Sequence, residues 1–296
     1  MAHINRLDKS AYQTLVASIT VLTESEQNMH HYILKHFDEL PYHGIVDLAN
    51  NAQVSKATIG RFLNKIGFTG YSAFKAALTN SLAENKMTAP IEVYHSGKEK
   101  QQNTPKLIST FTDNINHIIQ QFNDSLDQNN LNELINLIAD NNKRIFTVGP
   151  SSSAAMAVHF STLIKYIRSQ VNLLSVDTGD LPKQLIDINK NDVLVIFSYY
   201  RFNNVVIDIA RWFKDHNAKV VVITNSHSNP YGKYSDLKFV LPSDAQAIFH
   251  SRMTGFMFVE LILHLAYEKI DGEGNFEKLE QLFQFFGTFS ANSTTK

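Results

Sequence analysis

At 296 residues the chain is long for a single core, so two units are expected. Apolar residues at 44 % and charged residues at 19 % describe globular material able to bury a sizeable core. A net charge of −1 excludes coating of nucleic acid along the whole length while leaving room for a local basic face, and the lack of cysteine excludes disulfides, thiolate metal sites and a cysteine nucleophile.

The opening MAHINRLDKSAY lacks the uninterrupted apolar run of a secretory signal, and the oiliest stretch, GFMFVELILHLAY, carries Glu260 and His264 and is too short to span a bilayer. A cytoplasmic location and no membrane partner are therefore expected. Residues 1–85 read as short helices without β-branched runs. Thr23 stands three places before Glu26, the spacing at which cap and carboxylate satisfy each other's orphan amides. Ile45, Leu48, Ala49 and Ala52 recur at i, i+3, i+4, i+7, and Ile59, Phe62, Leu63 and Ile66 repeat that spacing after Ser55, a good N-cap. Two amphipathic helices thus meet at a tight turn at Gln53 and Val54.

The polar stretch KMTAPIEVYHSGKEKQQNTP, with both Pro and Gly, predicts a linker over 86–105. A helical stretch, LISTFTDNINHIIQQFN, follows. After Asp140 the runs RIFTVG, VNLLSV, DVLVIFS, KVVVITN and LKFVL alternate with helical segments, the pattern of strands buried on both faces of a parallel sheet with right-handed crossovers. The fold class expected is multidomain α and α/β: an all-α bundle over 1–85, then a doubly wound parallel-sheet domain over 106–270 that closes with a long helix from about Ala247 to Ile270. The extension over 271–296 is expected to be partly disordered.

The stretch VSKATIGRFLNKIG turns Ile59, Phe62, Leu63 and Ile66 inward and Ala57, Thr58, Arg61, Asn64 and Lys65 outward. From Leu48 to Ala83 the charges are Lys56, Arg61, Lys65 and Lys75, with no Asp or Glu. Arg suits guanine edges, Asn adenine, Thr a methyl or phosphate and Lys phosphate, while Ala57 and Gly60 allow close approach and Ser55 leaves a helix N-terminus open to phosphate. The competing reading is a solvated face of a helical bundle.

Over about 60 residues, LTESEQNMHHYILKHFDELPYHGIVDLANNAQVSKATIGRFLNKIGFTGYSAFKAAL resembles the N-terminal helix-turn-helix domain of the RpiR family of bacterial transcription regulators. The resemblance implies DNA-contacting roles for Ser55, Lys56, Thr58, Arg61 and Lys65; Asn64 joins them from its place on the outward face. One position departs: a glycine often stands where this chain has Gln53, and a non-Gly residue at positive φ costs on the order of 1 kcal/mol.

In the second unit, the loops at Gly149–Ser153, Asp177–Asp180, Ser198–Asn204 and Thr224–Ser228 follow strand carboxyl ends, where open α/β sheets bind ligands. Their hydroxyls and amides, with Arg201, suit a sugar phosphate or another polyol anion, although any single Ser or Asn there also serves as a helix cap. Candidate ligand residues are Ser151, Ser152, Ser153, Asp177, Ser198, Tyr200, Arg201, Asn203, Thr224 and Asn225. Residues from about 130 to 270 resemble a sugar isomerase (SIS) domain, which implies sensing of a phosphosugar. VGPSSSAAMAVHF resembles its first phosphate loop, with Ser151 in place of a frequent glycine. FSYYRFNNVV departs from the usual Ser-x-Ser-Gly-x-Thr by carrying Tyr200, Arg201 and Asn203.

Of the candidate acid–base groups His250, Glu260 and His264, the latter two fall within an apolar run and are read as buried helix residues with satisfied tips, and the twelve His lack a metal spacing. No catalytic residue, metal or cofactor is assigned, and the chain is read as not an enzyme. The reading is a regulator that binds double-stranded DNA as a homodimer or homotetramer and responds to a small carbohydrate effector. The alternatives are a SIS-type isomerase with a helical appendage, or a regulator whose SIS unit only dimerises.

Overall fold

The computed structural model describes residues 4–37, 39–82, 104–177, 179–199, 202–270 and 273–289. Two compact units form, one from Met1–Lys98 with His227–Lys233, the other from Glu99–Ser226 with Tyr234–Lys296.

The first unit contains α1 (Lys9–Ala17), α2 (Glu24–Lys35), a 3₁₀ turn (Leu40–Tyr42), α3 (Ile45–Asn51), α4 (Lys56–Lys65) and α5 (Tyr71–Leu82). α1 and α2 start where side chains satisfy first-turn amides. Asp8 accepts from Ala11 N at 2.7 Å, and Thr23 and Glu26 form the expected reciprocal box. Leu7, Tyr12, Met29, Ile33, Leu48, Ile59, Phe62, Leu63 and Phe74 are wholly buried in one core. Each apolar side chain so buried contributes about 1.5–3 kcal/mol.

The second unit runs α6 (Thr104–Asp124), α7 (Gln128–Ala139), β1 (Arg144–Val148), a 3₁₀ turn (Ser151–Ser153), α8 (Ala154–Ile164), β2 (Val171–Leu173), α9 (Leu181–Leu185), β3 (Asp192–Phe197), α10 (Asn204–Asp215), β4 (Lys219–Thr224), β5 (Leu237–Val240), α11 (Met253–Tyr267) and α12 (Glu273–Phe286). The five strands lie in the order β2-β1-β3-β4-β5, all neighbours parallel. Each apolar run of the sequence supplies one strand. Ile145, Val193, Val195, Val221 and Ile223 face a core shared with α7, α8 and α11, including Leu134, Phe160 and Phe258. On the other face Phe146 meets Phe213 of α10 edge-on, ring centroids 5.4 Å apart. This is a doubly wound sheet, with its switch point between β1 and β3.

Two expectations are corrected. The last long helix starts at Met253 rather than near Ala247, because the chain turns there: Asp244 accepts from Gln246 N, Gln246 has φ +50°, and Ser251 N returns to Ser243 O at 2.8 Å. Glu260 and His264 are exposed, not buried. α11 buries the face of Thr254, Gly255, Phe258, Val259, Ile262, Leu263 and Ala266, leaving Glu260 to meet His159 of α8 at 3.5 Å.

Beyond Ile270 the chain forms α12, which the sequence reading did not include; 290–296 lie outside the described residues. The expected linker over 86–105 also lies outside them, save Thr104 and Pro105, which open α6. Among the described residues no helix is long and apolar enough to cross a membrane.

Candidate DNA-binding face and ligand crevice

The α3–α4 turn closes through Ala52 N to Leu48 O at 3.0 Å and Val54 N to Ala49 O at 2.9 Å, with Gln53 in the left-handed region at φ +54°. Gln53 therefore takes the glycine-like conformation instead of being bypassed. Ser55 Oγ accepts from Thr58 N at 3.0 Å, which starts α4 at the expected residue. The predicted inner stripe is buried throughout, and Ser55, Lys56, Ala57, Arg61, Asn64 and Lys65 are exposed, with Thr58 half-buried. Ser55 Oγ and Thr58 Oγ1 lie 2.9 Å apart, and Arg61 Nη2 donates to Thr58 Oγ1 at 3.5 Å, so these three side chains form one chain along the outer face.

The cations divide into two kinds. Lys75 Nζ donates to His43 O at 2.8 Å, and Lys65 pairs with Glu26 of α2. Lys56 and Arg61 remain directed to solvent without a carboxylate partner among the described residues. An exposed N-cap serine, one guanidinium and one ammonium on the exposed face of α4 make a surface suited to a phosphate backbone and base edges.

In the second unit the loops after β1 and β3 straddle the switch point. A Cβ on Gly149 would come within 2.4 Å of Ser153 O, so only glycine lets the loop fold back on itself. Ser151, in the usual glycine position, has φ +51°. Ser151 and Ser152 are exposed, while buried Ser153 accepts from Tyr199 N at 3.2 Å and fastens the two loops together. Ser198 is buried and its amide donates to Ile223 O at 2.9 Å. Thr224, at the end of β4, is wholly buried with Oγ1 unpaired in the protein, and Asn225 Nδ2 donates to Ser243 Oγ at 2.9 Å.

Other candidates serve local structure. Asn203 Oδ1 accepts from Val205 N and Val206 N and caps α10. Asp177 Oδ1 accepts from Gly179 N and Asp180 N in the turn before α9. Tyr200 and Arg201 lie outside the described residues.

The crevice also contains residues that the sequence reading missed. Arg252, just before α11, donates from Nη2 to Ser152 Oγ at 2.8 Å and stacks over the Tyr199 ring, 5.5 Å from its centroid. Burial pushes the Tyr199 hydroxyl up to about 12 and holds His250 below the usual imidazole range. The available signal was a cation, in HSRMTG, at the mouth of the last helix. Among the described residues no His, Asp or Glu group is placed to hold a metal.

Comparison with known proteins agrees with both halves. Residues 12–85 match the helix-turn-helix domain of the rpiR family, and 137–265 match the SIS domain. An HTH-type transcriptional regulator of Clostridium perfringens is 27 % identical over 264 residues, covering 88 % of this chain and 91 % of that protein. The HTH-type transcriptional regulator HexR of Escherichia coli is 24 % identical over 221 residues, covering 74 % of this chain and 73 % of HexR. The Vibrio vulnificus NanR protein, solved with ManNAc-6P, superposes with a TM-score of 0.52 at 17 % identity, over 93 % of this chain and 98 % of NanR, a likeness of fold. The chain therefore belongs to the RpiR-type transcriptional regulators, a helix-turn-helix domain followed by a SIS domain.

Proposed function

We propose that α4 enters the major groove of an operator with Ser55, Lys56, Thr58, Arg61 and Asn64, and that the SIS crevice binds a phosphorylated sugar or related carbohydrate metabolite that alters operator binding. The observation that carries the first half is the Ser55–Thr58–Arg61 chain on an exposed helix face with no carboxylate on that helix. Support for the second half comes from the hydroxyl-lined loops at the switch point and from the ManNAc-6P bound by NanR, a protein of similar fold. Regulation requires the effector to bind one arrangement of the protein better than another, and by linkage DNA then changes effector affinity by the same factor.

The chain acts without turnover in this reading. Glu260 and His264 stand exposed on α11, and Asp177 is committed to its own turn. Self-association, as a homodimer or homotetramer, is supported by apolar side chains left exposed on α6 (Leu107, Ile108, Phe111) and α12 (Phe285, Phe286).

The experiment is selection of operators from random duplexes with the full chain, then a thermal-shift screen of hexose phosphates and amino-sugar phosphates and operator binding with each hit. A selected consensus whose binding changes with a phosphosugar is expected. Turnover of a phosphosugar without sequence-selective DNA binding would favour the isomerase alternative.

A further inference from the structure

The loops after β1 and β3 and the start of α11 meet at one guanidinium. Arg252 Nη1 donates to His250 O and Nη2 to Ser152 Oγ, both neutral oxygens. A guanidinium has more N–H donors than these two acceptors satisfy, and Arg252 Nε is shielded from solvent with no hydrogen-bond partner in the protein. No carboxylate pairs with Arg252 among the described residues. A half-buried, uncompensated charge is unfavourable, and burial indeed lowers the Arg252 pKa, against the pull of Tyr199.

The position of the group is over-determined. Its central carbon lies over the Tyr199 ring, and the end of that ring is tightly packed: a Cβ on Gly255 would come 3.0 Å from Tyr199 Oη and 2.3 Å from Met156 Sδ. The Tyr199 backbone is tied in turn by Tyr199 N donating to Ser153 Oγ at 3.2 Å. Ser152, which meets the guanidinium, belongs to the loop that Gly149 allows to fold tightly. A flexible surface arginine would lose much conformational entropy on gripping an anion; this one has already lost it.

We propose that Arg252 is the anion handle of the crevice, binding an oxyanion of the effector, phosphate or carboxylate, together with the exposed Ser151–Ser152 hydroxyls. The proposal rests on the reading of this crevice as an effector site. Arg252 supplies a fixed charge next to the phosphate-type loop, where the usual Ser, Gly and Thr after β3 are replaced. On binding, the oxyanion takes over Nη2 from the Ser152 hydroxyl and exchanges a neutral acceptor for a charged one.

The test is the Nε–Hε resonance of Arg252 in the ¹⁵N-labelled full chain, identified by its loss in Arg252→Lys. Glucose 6-phosphate, inorganic phosphate and glucuronate are titrated, with glucose as the neutral control and thermal denaturation measured in parallel. The expected result is a saturable shift of the Arg252 resonance with at least one oxyanion and none with glucose. Which of the phosphate ester, free phosphate or carboxylate moves it names the anion. Arg252→Lys, its other resonances unmoved, weakens that binding at least about tenfold because a point charge replaces a planar fork. If thermal stability rises with an oxyanion while the Arg252 resonance stays in place, the handle lies elsewhere and the effector reading survives without it. If neither responds to any of these compounds, both the handle and the effector reading are overturned.

Discussion

Lys65 Nζ of α4 lies 2.5 Å from Glu26 Oε1 of α2, and the other Glu26 oxygen accepts Thr23 N at 2.9 Å, so one carboxylate both caps a helix and anchors the helix expected to face DNA. Burial raises the Glu26 pKa, but the Lys65 and Thr23 hydrogen bonds outweigh it and hold the group below its ordinary range. Lys65 thus acts first as a strut. Lys65→Ala is expected to lower stability by about 1 kcal/mol, a value discounted because the ammonium is partly exposed, and to cost less operator affinity than Arg61→Ala. Urea denaturation and salt-controlled anisotropy check the pair of effects. Unchanged stability with an affinity loss equal to that of Arg61→Ala would reverse the assignment.

Gln53 carries the left-handed conformation of the α3–α4 turn at φ +54°. Glycine removes the Cβ clash there and adds unfolded-state entropy, so Gln53→Gly is expected to stabilise by a few tenths to about 1 kcal/mol. Gln53→Val, β-branched in the same region, is expected to destabilise. Thermal melts of the two variants check the sign. A destabilising glycine would mean that the turn does not bear this strain in solution.

His43 is buried, with Nε2 lacking a partner in the protein, while its carbonyl receives Tyr71 Oη at 3.0 Å and Lys75 Nζ at 2.8 Å. Burial lowers its pKa, against the opposing pull of Glu39 and Asp47. The unfolded chain therefore takes up the proton first. Stability from this group is complete above about pH 6.5, the ordinary imidazole value, and declines as pH falls below it. His30 and His250 are also lowered, chiefly by burial, so the contribution of His43 is isolated by comparison with His43→Gln. The variant is expected to show a flatter fall in urea midpoint between about pH 7 and pH 5. Parallel curves for the two proteins would remove His43 from the account.

Much of this architecture was legible because it is local. The five apolar runs became the five strands, but only β1, β3 and β4 are buried along nearly their whole length, as strands covered on both faces need no alternation. The edge strands β2 and β5 are only partly buried, against the expectation. Ser55 and the Ile59–Phe62–Leu63–Ile66 stripe marked α4, since cap and period act within a few residues. What stayed hidden depends on contacts between distant segments. Ser152 and Arg252 are 100 residues apart and meet only once the sheet is wound. Lys65 meets Glu26 only when α4 packs against α2. Glu260 and His264 looked buried because the run around them is apolar; α11 covers one side only, and its exposed side carries both. α12 lay outside the sequence reading, which took 271–296 as one partly disordered extension; its Phe285 and Phe286 are exposed.

The most direct measurement of the central claim, that the outer face of α4 reads DNA, is a gel-shift titration of wild type and Arg61→Ala on a selected operator and on unrelated duplex at fixed salt. The account predicts that the variant, still folded, loses roughly 1–3 kcal/mol of binding on the operator and much less on the unrelated duplex. Equal affinity of the two proteins for the operator would contradict it.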